Sequence, residues 1–148
     1  MNPSTRRQAR KCIIQALYTW ELSKNKIIDI EREYRKNIDT KKVDIKYFHE
    51  IFNSIVINCK KIDQKIKLCL DRKLQEIGYI EKAILRLSVY ELYNRTDIPY
   101  KVSINEGIEL AKIFGAQNSH KFINGVLNHA SKNSKKYLKN KENNKNSY

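Results

Sequence analysis

Arg6, Arg7, Arg10 and Lys11 crowd the head of the chain, and Tyr18 follows on the same predicted helix. Clustered cations attract phosphates, and a ring beside them stacks on a base. This combination suits single-stranded nucleic acid. Placing residues at roughly 100° intervals puts Arg7, Lys11 and Tyr18 within about 40° of one another, with Ile14 close by. Ala9, Cys12, Ile13, Ala16, Leu17 and Trp20 form an apolar stripe on the other side. A second cluster, His120, Lys121 and Phe122, holds the same two ingredients at the predicted start of a helix. Unpaired N–H groups there add attraction for anions. The plainer alternative stays open: charged faces that are merely solvated, with Tyr18 and Phe122 packed on neighbours. The i, i+4 relation of Phe122 to Val126 fits that alternative. Glu81 has the opposite sign. It suits a helix N-terminus through the dipole, or a docking point for a basic partner.

Other chemistries find little support. No glycine-rich phosphate loop, G-x-S-x-G elbow or H-E-x-x-H helix occurs. Glu106 and Glu109 read as helix charges, and Glu50 beside His49 as a surface pair. We therefore expect no enzyme, no cofactor and no small-molecule substrate. His49, His120 and His129 show no metal-ligand spacing with one another or with Cys12, Cys59 and Cys69, so we expect no metal. Three cysteines without a C-x-x-C pair indicate a reducing compartment and a role as small buried hydrophobes. No apolar run approaches the length of a membrane span, and the N-terminus lacks an apolar signal region. A cytoplasmic protein without membrane contact is expected. The net charge of +14 favours a polyanionic partner. Heavy use of Lys, Asn and Ile beside four Gly is also what an AT-rich genome produces, so part of the lysine excess is compositional. The clustered arginines therefore weigh more than the scattered lysines.

The elements that position these residues all read as helix, with no strand alternation. Ser4 or Thr5 caps a first helix running to about Ser23. A short second helix carries Ile27, Ile28, Ile30 and Tyr34. After a polar loop, Asp44 opens a long third helix whose stripe runs from Tyr47 to Cys69 at spacings of three and four. Asp71 caps a short fourth helix ending near Gly78. The fifth, with Ile80, Ala83, Ile84, Leu87, Tyr90 and Leu92, is apolar on more than one side and so central. Thr96 to Pro99 is a turn. Ser103 to Glu106 matches a capping box, so the sixth helix should begin there and stop at Gly115. Asn118 or Ser119 caps the seventh. The expected fold is all-α, about seven helices in one domain over 1–138. Its two packed subdomains span about 1–70 and 71–138, and residues 139–148 form a disordered Lys/Asn-rich tail.

Physical reading alone stops at a helical RNA-binding domain, or a protein-interaction adaptor without sequence-specific RNA binding. Four blocks carry a resemblance that goes further: Arg6–Arg10 with Gln15–Tyr18, Glu81–Leu87 with Tyr90–Leu92, Ile98–Glu106 with Glu109–Lys112, and Lys121–Leu127. In order and spacing they resemble the NusB family of bacterial transcription antitermination factors, over about residues 3–131. The resemblance implies binding of the boxA element of ribosomal RNA leader transcripts. It implies a heterodimer with NusE, a small-subunit ribosomal protein, and loading onto RNA polymerase with NusA and NusG. Carried over by position, Arg6, Arg7, Arg10, Tyr18, Lys121 and Phe122 would lie at or near the RNA, where the basic cluster adds Lys11, and Tyr18 and Glu81 would face NusE. The same helical domain occurs fused to ribosomal-RNA cytosine methyltransferases; the length of this chain leads us to expect the unfused form.

Overall fold

The computed structural model describes residues 2–134, 138 and 141–143. The regular secondary structure of these residues is entirely helical: seven α-helices and one 3-10 turn up to Lys132, and helical residues at 138 and 141–143. The chain divides into two compact units, one ending at Cys59 and one beginning at Lys60.

The first unit holds α1 (Pro3–Ser23), α2 (Ile27–Lys36) and α3 (Ile45–Ile57). The cap of α1 is Asn2, not Ser4 or Thr5: its side chain accepts from Ser4 N at 2.8 Å. Pro3 explains the earlier start, since its fixed φ suits the first helical position and its missing N–H is not needed there. Ala9, Ile13, Ala16 and Leu17 of α1 are buried, as are Phe48, Ile51, Phe52 and Ile55 of α3. The Phe48 and Phe52 rings stack at 5.9 Å. Helix α2 buries only Ile30 and adds polar ties to its neighbours. Glu31 accepts from His49 Nδ1 at 2.7 Å and Asn53 Nδ2 at 2.9 Å, and the Thr19 and Tyr34 hydroxyls meet at 3.1 Å. Cys12 and Trp20 are half-buried, whereas Ile14 has no exposure at all.

The long third helix expected from Asp44 to Cys69 is two helices. α3 closes at Asn58, whose side-chain amide and backbone N–H both donate to Ser54 O, at 2.8 and 3.0 Å. Asparagine competes with the helix ladder in this way, and α4 (Cys59–Lys67) starts immediately afterwards. All but its first residue belongs to the second unit, so the division falls after Cys59 and not near residue 70.

The second unit continues with a 3-10 turn at Leu74–Glu76, then α5 (Tyr79–Asn94), α6 (Tyr100–Phe114) and α7 (Ser119–Lys132). The 3-10 turn stands where a fourth helix was expected. Asp71 caps nothing there and pairs with Arg72 at 3.3 Å. Helix α5 is buried at every position from Lys82 to Leu92, which makes it the core of this unit. Helices α6 and α7 both pack on it and on each other. The capping box is not used. Pro99 caps α6 instead, and its carbonyl accepts from Val102 N at 3.0 Å. Ser103 therefore lies one turn inside the helix, fully buried, with its hydroxyl unpartnered. Asn118 opens α7 through its backbone, at φ 70° with its carbonyl accepting from Lys121 N at 3.1 Å, and not through its side chain. Asparagine tolerates this left-handed conformation better than most residues. Of the expected tail, 141–143 are helical; 139–140 and 144–148 lie outside the described residues.

Gly107 lets α6 approach both of its neighbours. A Cβ there would stand 2.7 Å from Ser88 Oγ and 2.7 Å from Leu127 Cδ1. Gly107→Ala should therefore destabilise the protein by about 1–3 kcal/mol through overpacking, despite alanine's better helix propensity. Urea unfolding measures this; a stabilised variant would show that the three helices are not closely packed.

Candidate nucleic-acid interface

In the first unit the loop before α3 is tied to the start of α1. Asp44 N donates to Thr5 O at 3.1 Å, and the Asp44 carboxylate accepts from Tyr47 N at 3.1 Å. These bonds bring Tyr47 beside the arginines. The Arg6 guanidinium lies 4.4 Å from the Tyr47 ring centroid and that of Arg10 lies 5.7 Å away. Arg10 is only 3% exposed and Tyr47 only 2%. Arg10 is thus packed against an aromatic ring, which offers a cation part of what water would. Arg7 is exposed, Arg6 and Lys11 are half-buried, and Tyr18 is 38% exposed. The buried Ile14 interrupts the face shared by Arg7, Lys11 and Tyr18. A helical wheel assumes one covered side, whereas α1 has both α2 and α3 against it.

In the second unit Phe122 is half-buried in the first turn of α7, with Lys121 exposed beside it. The Arg72 guanidinium stands 4.9 Å from the Phe122 ring centroid. Arg72 carries no signal of its own in the sequence, where it falls inside the expected fourth helix. Both side chains line a surface cavity of about 360 Å³, together with Gly78, Glu81, Asn118 and Ser119. Glu81 sits in the first turn of α5 and accepts from Ser119 Oγ at 2.7 Å, joining the N-termini of α5 and α7. A cation, a ring and an exposed lysine at a helix N-terminus suit a phosphate with a stacked base.

The described residues contain no group of three or more His, Cys, Asp or Glu able to hold a metal ion. Burial pushes the Cys12 and Cys69 thiols up, away from the reactive thiolate. Among the described residues no helix is long and apolar enough to cross a membrane.

Residues 7–132 match the NusB family model. The chain belongs to the NusB family. A "Transcription antitermination protein NusB" from Erwinia tasmaniensis is 54% identical over 130 residues, covering 88% of this chain and 94% of the relative. One from Buchnera aphidicola is 56% identical over 130 residues, covering 88% and 91%. Among solved structures, the NusB of T. maritima superposes with a TM-score of 0.75 at 32% identity, covering 86% of this chain and 91% of that one. A chain from "Antitermination Factors NusB and NusE in complex with dsRNA" superposes at 0.78 and 27% identity, covering 88% and 98%. The NusB match runs from the exposed Arg7 through both residues of the second patch, Lys121 and Phe122.

The Ser119–Glu81 bond ties the two helix starts that border the cavity. Ser119→Ala should cost about 1–2 kcal/mol, as expected for a hydrogen bond to a charged group that is partly solvated. Thermal unfolding followed by circular dichroism measures it. An unchanged melting temperature would mean that the bond adds no net stability.

Proposed function

We propose that this protein is a transcription antitermination factor. It binds boxA RNA of ribosomal RNA leader transcripts together with the ribosomal protein NusE, and loads with it onto RNA polymerase alongside NusA and NusG. The observation that carries this reading is the match of nearly the whole described fold to a NusB solved with NusE and double-stranded RNA. The protein acts in the cytoplasm, by binding and not by catalysis. Transcription in vitro past a terminator on a boxA-bearing template tests it. Leaving this protein out of a mixture with NusE, NusA and NusG should reduce read-through; equal read-through with and without it would refute the proposal.

In this reading Arg6, Arg7 and Lys11 meet phosphates in the first unit. The buried Arg10 acts as a positioning residue, holding Tyr47 where Arg6 rests on it. Tyr18 lies toward both RNA and NusE. In the second unit Phe122 stacks on a base and Lys121 meets a phosphate. Arg7→Ala should lower the slope of log affinity against log salt by about 0.7, the value for one single-strand phosphate. Phe122→Ala should weaken binding by roughly 1–3 kcal/mol with little change of slope. Fluorescence anisotropy over a salt series reads both. A Phe122→Ala protein that melts early yet binds boxA normally would return Phe122 to the core.

Glu81 is the acidic residue that NusE would meet. Glu81→Lys should weaken the NusE complex, and calorimetric titration measures the loss. Ser119→Ala serves as the control, since it removes the same hydrogen bond and keeps the carboxylate. If both variants bind NusE like the parent, Glu81 is only a helix-terminus charge.

A further inference from the structure

Two of the protein's helical glycines have opposite surroundings. Gly107 is enclosed, as described. Gly125 lies in the middle of α7, is exposed, and a Cβ built on it would meet nothing within 4 Å. Its φ is not positive. Neither packing nor backbone conformation requires glycine there, although glycine in a helix interior is destabilising relative to alanine. What glycine does provide is a bare backbone that another molecule can approach closely.

The neighbours of Gly125 indicate which kind of molecule. At roughly 100° per residue, Lys121, Gly125, Asn128 and Lys132 share one face of α7, spread over about 60°. All four are exposed. The stripe begins beside Phe122 and runs about 16 Å along the helix. It borders a groove of about 440 Å³ between α6 and α7, lined in part by Tyr100, Lys101, Asn105, Asn124, Asn128 and Lys132. No described acidic residue lines that groove. The Asn128 amide donates to Asn124 O at 2.8 Å and also to the Asn124 side chain. The Asn124 side-chain NH₂ and the Asn128 side-chain carbonyl stay available to a ligand. Lys101 Nζ lies 6.0 Å from the Tyr100 ring centroid, so a cation and a ring stand together at the groove's edge. Ammonium groups suit phosphates, amides suit base edges, and the bare helix backbone admits a ribose-phosphate chain.

We propose that single-stranded RNA continues from Phe122 along this face of α7, over Gly125, and into the groove between α6 and α7. The proposal rests on the RNA-binding reading above and extends it to a surface of one phosphate-neutralising lysine pair and three asparagine amides.

The test uses the full chain alone and a boxA RNA extended at both ends by unstructured nucleotides. Gly125→Gln adds a side chain to open space, so its melting temperature should equal or exceed that of the parent. Its affinity for the RNA should fall by roughly tenfold, the order of one lost nucleotide contact. The double variant Lys101→Ala/Lys132→Ala should lose about 1.4 from the salt slope, two phosphates' worth. Parental affinity and slope in both variants would overturn the proposal. So would variants that bind RNA normally but lose NusE, because the face would then belong to a protein. If the parent itself does not bind the RNA, the RNA-binding reading fails, a result distinct from failure of the variants alone.

Discussion

Arg86 sits midway along the buried run of α5, where its side chain is only 7% exposed. A charge in that position must be paired, because an unpartnered ion away from water is far too costly. Asp63 of α4 supplies the partner in a two-pronged contact, Nε to Oδ1 at 2.9 Å and Nη2 to Oδ2 at 3.0 Å. This obliges α4 to lie along α5. Lys65, two residues further along α4, rests 4.3 Å from the Tyr93 ring centroid, and burial lowers its pKa, with Lys61 adding to the effect. The Tyr93 hydroxyl in turn donates to Ala130 O of α7 at 3.0 Å. A chain of polar contacts thus orders three helices of the second unit. Arg72, a few residues beyond α4, reaches Phe122 at the start of α7 because of this order.

Helix existence and the core stripes were legible because they depend on periodicity. The five predicted stripe residues of α3 from Tyr47 to Ile55 are all buried, and α5 is central as its all-round apolar pattern required. Helix ends were less legible, because several cap types compete locally. Asn2–Pro3 won over Ser4, and Pro99 won over the Ser103 capping box. The break at Asn58 was invisible to periodicity, since α4 resumes the same apolar spacing with Ile62 and Ile66.

For the candidate interface, the residue types were legible and their neighbours were not. Arg6, Arg7 and Arg10 look alike in the sequence, yet in the structure Arg10 is buried beside the Tyr47 ring and Arg7 is exposed. That contact depends on Asp44 bridging Thr5 and Tyr47 across about forty residues of chain, which no local pattern encodes. Arg72 was hidden for a similar reason: its importance comes from a ring fifty residues later. Gly125 differs again. Its open surroundings, unlike the enclosed ones of Gly107, follow from the packing of whole helices.

In the proposed reading, RNA recognition combines two separate kinds of group. Arginine and lysine side chains of α1 carry positive charge, and part of that charge is held rigidly on Tyr47. In the second unit, an aromatic ring backed by Arg72 supplies a surface for stacking. Charge alone would bind any RNA, with an affinity that falls steeply with salt, and a stacking ring holds a base splayed out so that polar groups beside it can read its edge. The direct measurement is a gel shift at moderate salt, comparing boxA RNA with a scrambled RNA of the same length and composition. Clear preference for boxA is the predicted result. Equal binding of the two RNAs, or none, would contradict the account and leave a basic helical adaptor.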